Sequence, residues 1–353
     1  MSARSRIEDN RMIATANDVA REAGVSQSAV SRAFTPGASI AANTRVKILA
    51  AAERLGYQPN LIARSLISGR SNLIGVGVGN LANPFFAEAL ERFSFAFEDA
   101  GLRLLLFPID GSVTLGTEIH EVLHYRLDAL ILLSVTLTST LATQCQRAKV
   151  PVILFNRQGS DPSISSVIGA NELGARTIAA FLHAGGHRRP AIIAGLPDSS
   201  TSQQREQGFH GWFAERGLPA PISERGDFQH DQAAAAMRRL MLRPDRPDAV
   251  FCANDHMAIA ALNVARFEFG LEPGRDVSIV GFDDVPQAAW PAYSLTTFAQ
   301  PLVPMVERTI ETIRRLRDDP GATVHSVIDG NLIVRSSARA PRVAFHPPDE
   351  TRA

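Results

Sequence analysis

Apolar positions in this chain follow two different rhythms, one over roughly the first 70 residues and another after Leu73. In residues 15–35, Val19, Ala20 and Ala23 recur at helical spacing, and Gly24 then breaks the pattern where a β-carbon would hinder a sharp turn. Ser26 is a natural N-cap for a second helix whose apolar face is Ala29, Val30 and Phe34. Gln27, Ser28, Ser31 and Arg32 are left on the outer face, side chains suited to phosphates and base edges in a major groove. The spacing predicts a helix-turn-helix. A third helix is expected from Asn43 to Leu55, with Val46, Leu49, Ala50 and Leu55 facing inward and Gly56 closing it. Tyr57 to Asn60 reads as a connector. Residues 60–70 can form a short helix ending at Gly69, too short to be stable alone in water.

From Leu73 the pattern becomes continuous apolar runs alternating with helical stretches. Leu73–Val78, Leu104–Phe107, Ala129–Leu133 and Val152–Phe155 form one series of strands, with helices near 84–100 and 115–126. Val167-Ile168, Ala191–Ala194, Ala249–Cys252 and Ser278–Phe282 open a second, with helices near 171–184, 203–216, 231–242 and 256–268. Such alternation indicates parallel sheets covered on both faces, and two series indicate two similar lobes. Residues 299–333 read as a return: a helix from Val303 to Arg317, then the strand Leu332–Val334. The Arg- and Pro-rich stretch after Ser337 is expected to be loose.

Charge sharpens the division. Residues 1–70 hold ten Arg/Lys against five Asp/Glu, and the 353-residue chain is neutral overall, so a head of +5 precedes a body of −5. That balance suits a molecule in which only the head meets phosphates. With 45% hydrophobic residues the body can bury a large core. No apolar run approaches the length of a membrane span, and the polar start lacks the apolar stretch of a secretory signal. Cys145 and Cys252 lie far apart and show no metal-type spacing, so reduced thiols, a cytoplasmic location and no disulfide are expected.

Two literal motifs are set aside. His120-Glu121-Val122-Leu123-His124 has the H-E-x-x-H pattern of zinc proteases, but no third ligand or substrate groove accompanies it, and Glu118, Tyr125 and Arg126 give it a solvated setting. Gly75-x-Gly77-x-Gly79 has the wrong spacing for a dinucleotide loop. No nucleophile–base pair or metal set supports an enzyme, and no cofactor or metal is expected.

The order of motifs resembles the transcriptional regulators of the lactose-repressor/galactose-repressor (LacI/GalR) family. The resemblance runs over about residues 15–337 and is carried by Asp18-Val19-Ala20, Ala23–Ser26, Val30-Ser31-Arg32, Thr44-Arg45-Val46, Leu55-Gly56-Tyr57, Pro59-Asn60, Ala63-Arg64 and Leu66. Later matches include Gly185-Gly186-His187, Arg205, Asn254–Ala258, Val280–Asp284, Leu295–Thr297, Gln300-Pro301 and Arg335-Ser336. Ala29 departs from it, standing where the family usually has threonine.

The resemblance implies a small all-α helix-turn-helix headpiece and a hinge helix joined to a two-lobed α/β core like the periplasmic binding proteins. The expected limits are a tail over 1–13, the headpiece over 14–60, the hinge over 61–72, the core over 73–340 and a loose tail over 341–353. Lobe one then comprises about 73–170 and 300–330, and lobe two about 171–299 and 331–340. Function follows as an expectation: a homodimeric repressor on pseudo-palindromic operator DNA, controlled by a small polar, carbohydrate-like effector. Thr15, Ser26, Gln27, Ser28, Ser31, Arg32 and Arg45 then lie at bases or phosphates, with Asn60, Ala63 and Leu66 in the hinge and Leu66 wedged into the minor groove. The effector would meet Phe85, Phe86, Asn156, Arg157, Arg205, Phe228, Asn254, Asp283 and Gln300, and Ser134 is a further candidate. The rival reading is a sugar-binding receptor without DNA function, which would carry an export signal and lack the basic head.

Overall fold

The computed structural model describes residues 14–35, 37–58, 71–109, 123, 125–133 and 139–341. The chain divides between Ser71 and Asn72 into two units. Among the described residues the first holds three helices: α1 (Ala16–Ala23), α2 (Gln27–Ala33) and α3 (Ala42–Leu55). Thr15 begins α1 with a capping box: its Oγ1 accepts from the Asp18 amide at 3.3 Å, and Asp18 Oδ2 accepts from the Thr15 amide at 3.0 Å. Gly24 closes α1 in the left-handed region at φ 65°, which is why a glycine stands there. Ser26 Oγ caps α2 by accepting from the Ala29 amide at 3.3 Å.

Val19, Ala20, Val30, Ala33, Ile48, Ala51 and Ala52 form the small core of this unit, sealed by Phe34 meeting Tyr57 edge-on at 5.7 Å. The inward face of α3 therefore differs from the expected one. Ile48, Ala51 and Ala52 point in, while Val46 is 66% exposed and Leu49 and Leu55 are exposed too. Both sets sit at helical spacing; Ile48 and the two small alanines let three short helices approach closely, which the larger set would not.

The second unit contains two six-stranded sheets. The first runs β11-β5-β4-β3-β1-β2, built from β1 (Leu73–Val78), β2 (Arg103–Pro108), β3 (Ala129–Leu133), β4 (Val152–Phe155), β5 (Ser165–Gly169) and β11 (His325–Ile328). The second runs β12-β10-β9-β8-β6-β7, built from β6 (Pro190–Ala194), β7 (Ile222–Arg225), β8 (Ala249–Cys252), β9 (Ser278–Asp283), β10 (Thr296–Ala299) and β12 (Asn331–Ile333). All neighbours are parallel except β12, which runs antiparallel to β10. Central strands such as Ala129–Leu133 are buried at every position, the mark of a sheet covered on both faces. Among the described residues the helices between them are α4 (Pro84–Asp99), α5 (Ser139–Ala148), α6 (Asn171–Ala184), α7 (Ser200–Ala214), α8 (His230–Met241), α9 (Asp255–Asn263) and α10 (Leu302–Asp318). The chain passes between lobes after Gly169, after Ala299 and after Ile328, so three short crossings join them.

Several expectations need correction. Val167-Ile168 completes the first sheet instead of opening the second. Strands β7, β10 and β11 were not anticipated; β7 and β11 are edge strands with half their positions exposed, where Ser223, Glu224, His325 and Ser326 dilute the apolar signal, and in β10 Thr296 and Thr297 do the same. The helix after Asp255 changes to a wider π turn over Val264–Glu268. The stretch after Ser337 starts tightly held: Ser337 Oγ donates to the Ile279 carbonyl at 2.6 Å, Ala338 is buried, and the Arg339 amide donates to Ser278 Oγ at 2.9 Å. The tails 1–13 and 342–353, the segment 59–70, most of the 115–126 stretch with His120, Glu121 and His124, and Ser134 lie outside the described residues.

Candidate functional site

On the headpiece, Gln27, Ser28, Ser31 and Arg32 are all exposed on α2, and Thr15 is exposed at the start of α1. Arg32 lies back along its helix, Nε donating to the Ser28 carbonyl at 3.3 Å. Ser26 is exposed but engaged as the helix cap, with its Oγ 2.9 Å from that of Ser28. Arg45 is half-buried and donates to the Ala38 carbonyl at 3.3 Å. Asn60, Ala63 and Leu66 lie outside the described residues.

In the core, the carboxyl ends of the strands from both sheets face a tight cleft with about 30 Å³ of open space, far less than the roughly 300–1,000 Å³ of an open small-molecule site, so the lobes stand closed on its lining. Phe86, Asn156, Arg157, Arg205, Phe228, Asn254 and Asp283 line it, seven of the nine residues expected there. Gln300 stands just behind, donating from Nε2 to Asp283 Oδ1 at 2.7 Å. Phe85 does not line the cleft. It is fully buried against lobe-one core and meets Phe86 edge-to-face at 5.3 Å. Adjacent helical positions point about 100° apart, so the two rings cannot share one face.

Arg205 is the organising side chain. Only 1% exposed, it donates from Nε to Asn171 Oδ1 at 2.9 Å, from one terminal nitrogen to the Ala253 carbonyl, and from the other to Asp283 Oδ1 at 3.4 Å. Its guanidinium lies 3.6 Å from the centre of the Phe282 ring. Burial pulls its pKa down to about 10, opposed by Asp283 and Asp255; it remains a cation at neutral pH. Burial conversely pushes the Asp283 carboxyl above the usual range, opposed by Arg205 and Gln300. Asp255, at the start of α9, is fully buried. It accepts from Thr297 Oγ1 at 2.6 Å and the Val285 amide at 2.9 Å. Burial and then the nearby Asp283 raise its carboxyl well above the ordinary value.

Among the described residues, three buried amide atoms around this pair have no hydrogen-bond partner: Asn156 Oδ1, Asn254 Nδ2 and Gln300 Oε1. Two of these assignments are fixed by chemistry. Asn254 Oδ1 caps α9 by accepting from the Met257 amide at 2.9 Å, so its other end is a donor. Gln300 Nε2 is spent on Asp283, so its free end is an acceptor. Backbone strain gathers here as well, with φ of 58° at Asn156, 58° at Phe228 and 122° at Asp283, a pattern associated with ligand clamps. A buried cation, a carboxylate, matched amide donors and acceptors, and the aromatic walls Phe86 and Phe228 can hold a small molecule dense in hydroxyl groups.

Asn80, Asn83, Ser199 and Thr201 also line the cleft and were missed. Each lies between a strand's carboxyl end and the first turn of the next helix, so extending the search from strand ends into helix starts would have found them. Asn83 Oδ1 accepts from the Phe85 amide at 3.1 Å, and Thr201 Oγ1 donates to the Asn156 carbonyl at 2.7 Å, tying the lobes together.

Comparison with known proteins bears on both units. The family described as bacterial regulatory proteins, lacI family, matches residues 15–60, and the periplasmic binding protein-like domain matches residues 179–338. Catabolite control protein A of Priestia megaterium is 30% identical over 297 residues, covering 82% of this chain and 89% of that protein. The lac repressor dimer bound to operator and the anti-inducer ONPF superposes with a TM-score of 0.82 at 28% identity, covering 93% of this chain and 100% of that one. The complex of the transcriptional regulator CelR with cellobiose gives a TM-score of 0.70 at 28% identity, covering 92% of this chain and 100% of that one.

Proposed function

The chain belongs to the bacterial regulatory proteins of the lacI family, and from that premise we propose that it is a DNA-binding repressor governed by a small polyhydroxylated ligand, a sugar or sugar derivative, held between the core lobes. The observation that carries the ligand half is the buried Arg205–Asp283 pair ringed by the partnerless amide ends of Asn156, Asn254 and Gln300. Protein interiors rarely leave such atoms unmatched. A ring bearing several hydroxyls supplies donors and acceptors to all of them. The DNA half is supported by the exposed row Gln27, Ser28, Ser31 and Arg32 and by the basic head. Thr15, Ser31 and Arg45 are assigned to phosphates, Ser26 to the same DNA-facing surface, and Asn60, Ala63 and Leu66 to the hinge. The operator-bound dimer of the lac repressor extends the reading to a homodimer on a pseudo-palindromic site.

The coupling is a linkage between ligand and operator. A ligand that touches both lobes favours one arrangement of them, and a typical coupling of about 1–3 kcal/mol changes operator affinity roughly 5–150-fold. Gel-shift titration against the chain's own promoter region, with and without candidate sugars, tests this. A specific shift that a sugar weakens or strengthens is expected. Equal binding to promoter and competitor DNA overturns the regulator reading.

A further inference from the structure

We propose that the ligand spans two chambers, with one sugar ring in the cleft and a second, uncharged glycosyl unit in an outer groove on the far side of Arg157. The proposal deepens the sugar reading above and rests on it. The cleft, with about 30 Å³ of open space, is nearly filled by its own side chains and takes a ring only as the lobes part. Beside it opens a groove of about 550 Å³, and Arg157 lines both, so the two spaces meet at that side chain. The groove is built by both lobes: Leu154 to Ser160 from the end of β4, and Asp198 to Gln207 around the start of α7.

Its lining chemistry selects the occupant. Arg157 and Asp198 are the two charged groups among the described lining residues, and the Asp198 carboxylate supports the Arg157 charge against burial. The groove is therefore close to neutral and offers no surplus positive charge to a phosphate or carboxylate. Amides supply most of the remaining polar lining, from Gln158, Gln203, Gln204 and Gln207. An amide presents donors and an acceptor together, the pairing that ring hydroxyls require.

Parts of this surface are already held in place. Gln204 Nε2 donates to Gln158 Oε1 at 3.3 Å, and Gln204 Oε1 accepts from Asn171 Nδ2 at 3.0 Å. Gln203 Nε2 donates to the Pro197 carbonyl at 2.8 Å. The Gln158 amide donates to Ser200 Oγ at 2.9 Å, a bond from lobe one to lobe two. An occupant of the groove thus touches the same lobe junction as an occupant of the cleft, and its binding adds to the same equilibrium.

The test is calorimetry on the full-length protein with glucose, galactose and ribose beside cellobiose, lactose and maltose, using wild type and Gln207→Trp. Gln207 is exposed on α7, so the larger side chain fills the groove without entering the core. At least one disaccharide is expected to bind about tenfold more tightly than its constituent monosaccharide, the scale of one or two added hydrogen bonds. Gln207→Trp should erase that gain and leave the monosaccharide within about twofold. Equal affinities for both sugars overturn the second chamber, as does a variant that weakens both alike or neither. Heat from no sugar at all overturns the sugar reading itself, while a specific gel shift would still stand as a separate result.

Discussion

Arg205 donates to Asn171 over 2.9 Å, and Asn171 is the first residue of α6, where the chain has just crossed from lobe one to lobe two. The same asparagine gives its Nδ2 to Gln204, which in turn donates to Gln158 on lobe one. A hydrogen-bonded path therefore runs from the Asp283–Arg205 pair through the crossing to the opposite lobe. Charge state and position at the cleft are mechanically tied to how the lobes meet.

Removing Arg205 should cost stability as well as ligand response. Arg205→Ala strands the buried Asp283 carboxylate, and breaking a buried pair from one side typically costs about 3–5 kcal/mol. Asp283→Ala added to it should recover part of the loss, since no buried charge is then left alone. Urea unfolding of the two variants checks this; a double variant less stable than Arg205→Ala by the full cost of Asp283→Ala would mean the two side chains act independently.

Asp255 makes a prediction about pH. Its folded carboxyl keeps a proton above about pH 4, where an unfolded aspartate releases it. The folded state then binds more protons, so stability falls as pH rises from there through the raised value and levels beyond it. Asp248 works in the other direction. Burial pushes it up, but the His187 ring 3.6 Å away and hydrogen bonds from the Arg188 and Arg189 amides outweigh that and hold it well below the usual range. Its contribution is lost only as pH drops below about 4. Asp255→Asn can keep both contacts, with Oδ1 to the Val285 amide and Nδ2 to a rotated Thr297 hydroxyl. Urea midpoints between pH 4.5 and 8.5 should fall with pH in wild type and stay flatter in Asp255→Asn; parallel curves would remove Asp255 as the cause.

Arg32→Ala should relax sequence discrimination. An arginine reading a guanine edge contributes about 1–3 kcal/mol of preference, and Arg32 is exposed on α2 with its Nε resting on the Ser28 carbonyl, which a base must displace. Competition gel shifts with cognate and scrambled duplexes measure the ratio. A similar loss on both duplexes would assign Arg32 to phosphates.

What could be read from residues alone follows from how strongly each feature is dictated locally. Helix α6 runs over the same limits, 171–184, that its periodicity gives, because a sustained apolar stripe leaves little choice. Edge strands β7 and β11 were hidden, since one exposed face lets polar residues in. The inner face of α3 depended on which residues its neighbours leave room for, a tertiary fact. In the cleft, Arg205, Asn254 and Asp283 were legible as polar groups at strand ends, whereas the choice between Phe85 and Phe86 needed the helix's actual rotation. Thr201 was missed because its contact is with a backbone carbonyl in the other lobe, which leaves no trace in local sequence.

Gly195 provides the sharpest handle on the aromatic wall. A β-carbon there would run into the Phe228 ring itself, and Phe228 is already held at φ 58°, so backbone adjustment is restricted. Gly195→Ala should therefore swing the ring off its seat while leaving Arg205, Asn254 and Asp283 in place. Polar recognition would survive and the apolar contact would be lost, lowering sugar affinity by about tenfold, as burying roughly half an aromatic face is worth about 1–1.5 kcal/mol. Phe228→Ala should produce a loss of the same size, and the two changes combined should cost no more than either alone, because both remove one ring from one place. Calorimetry across that cycle decides the matter: additive losses would show that Gly195 acts on the ligand by a route other than Phe228.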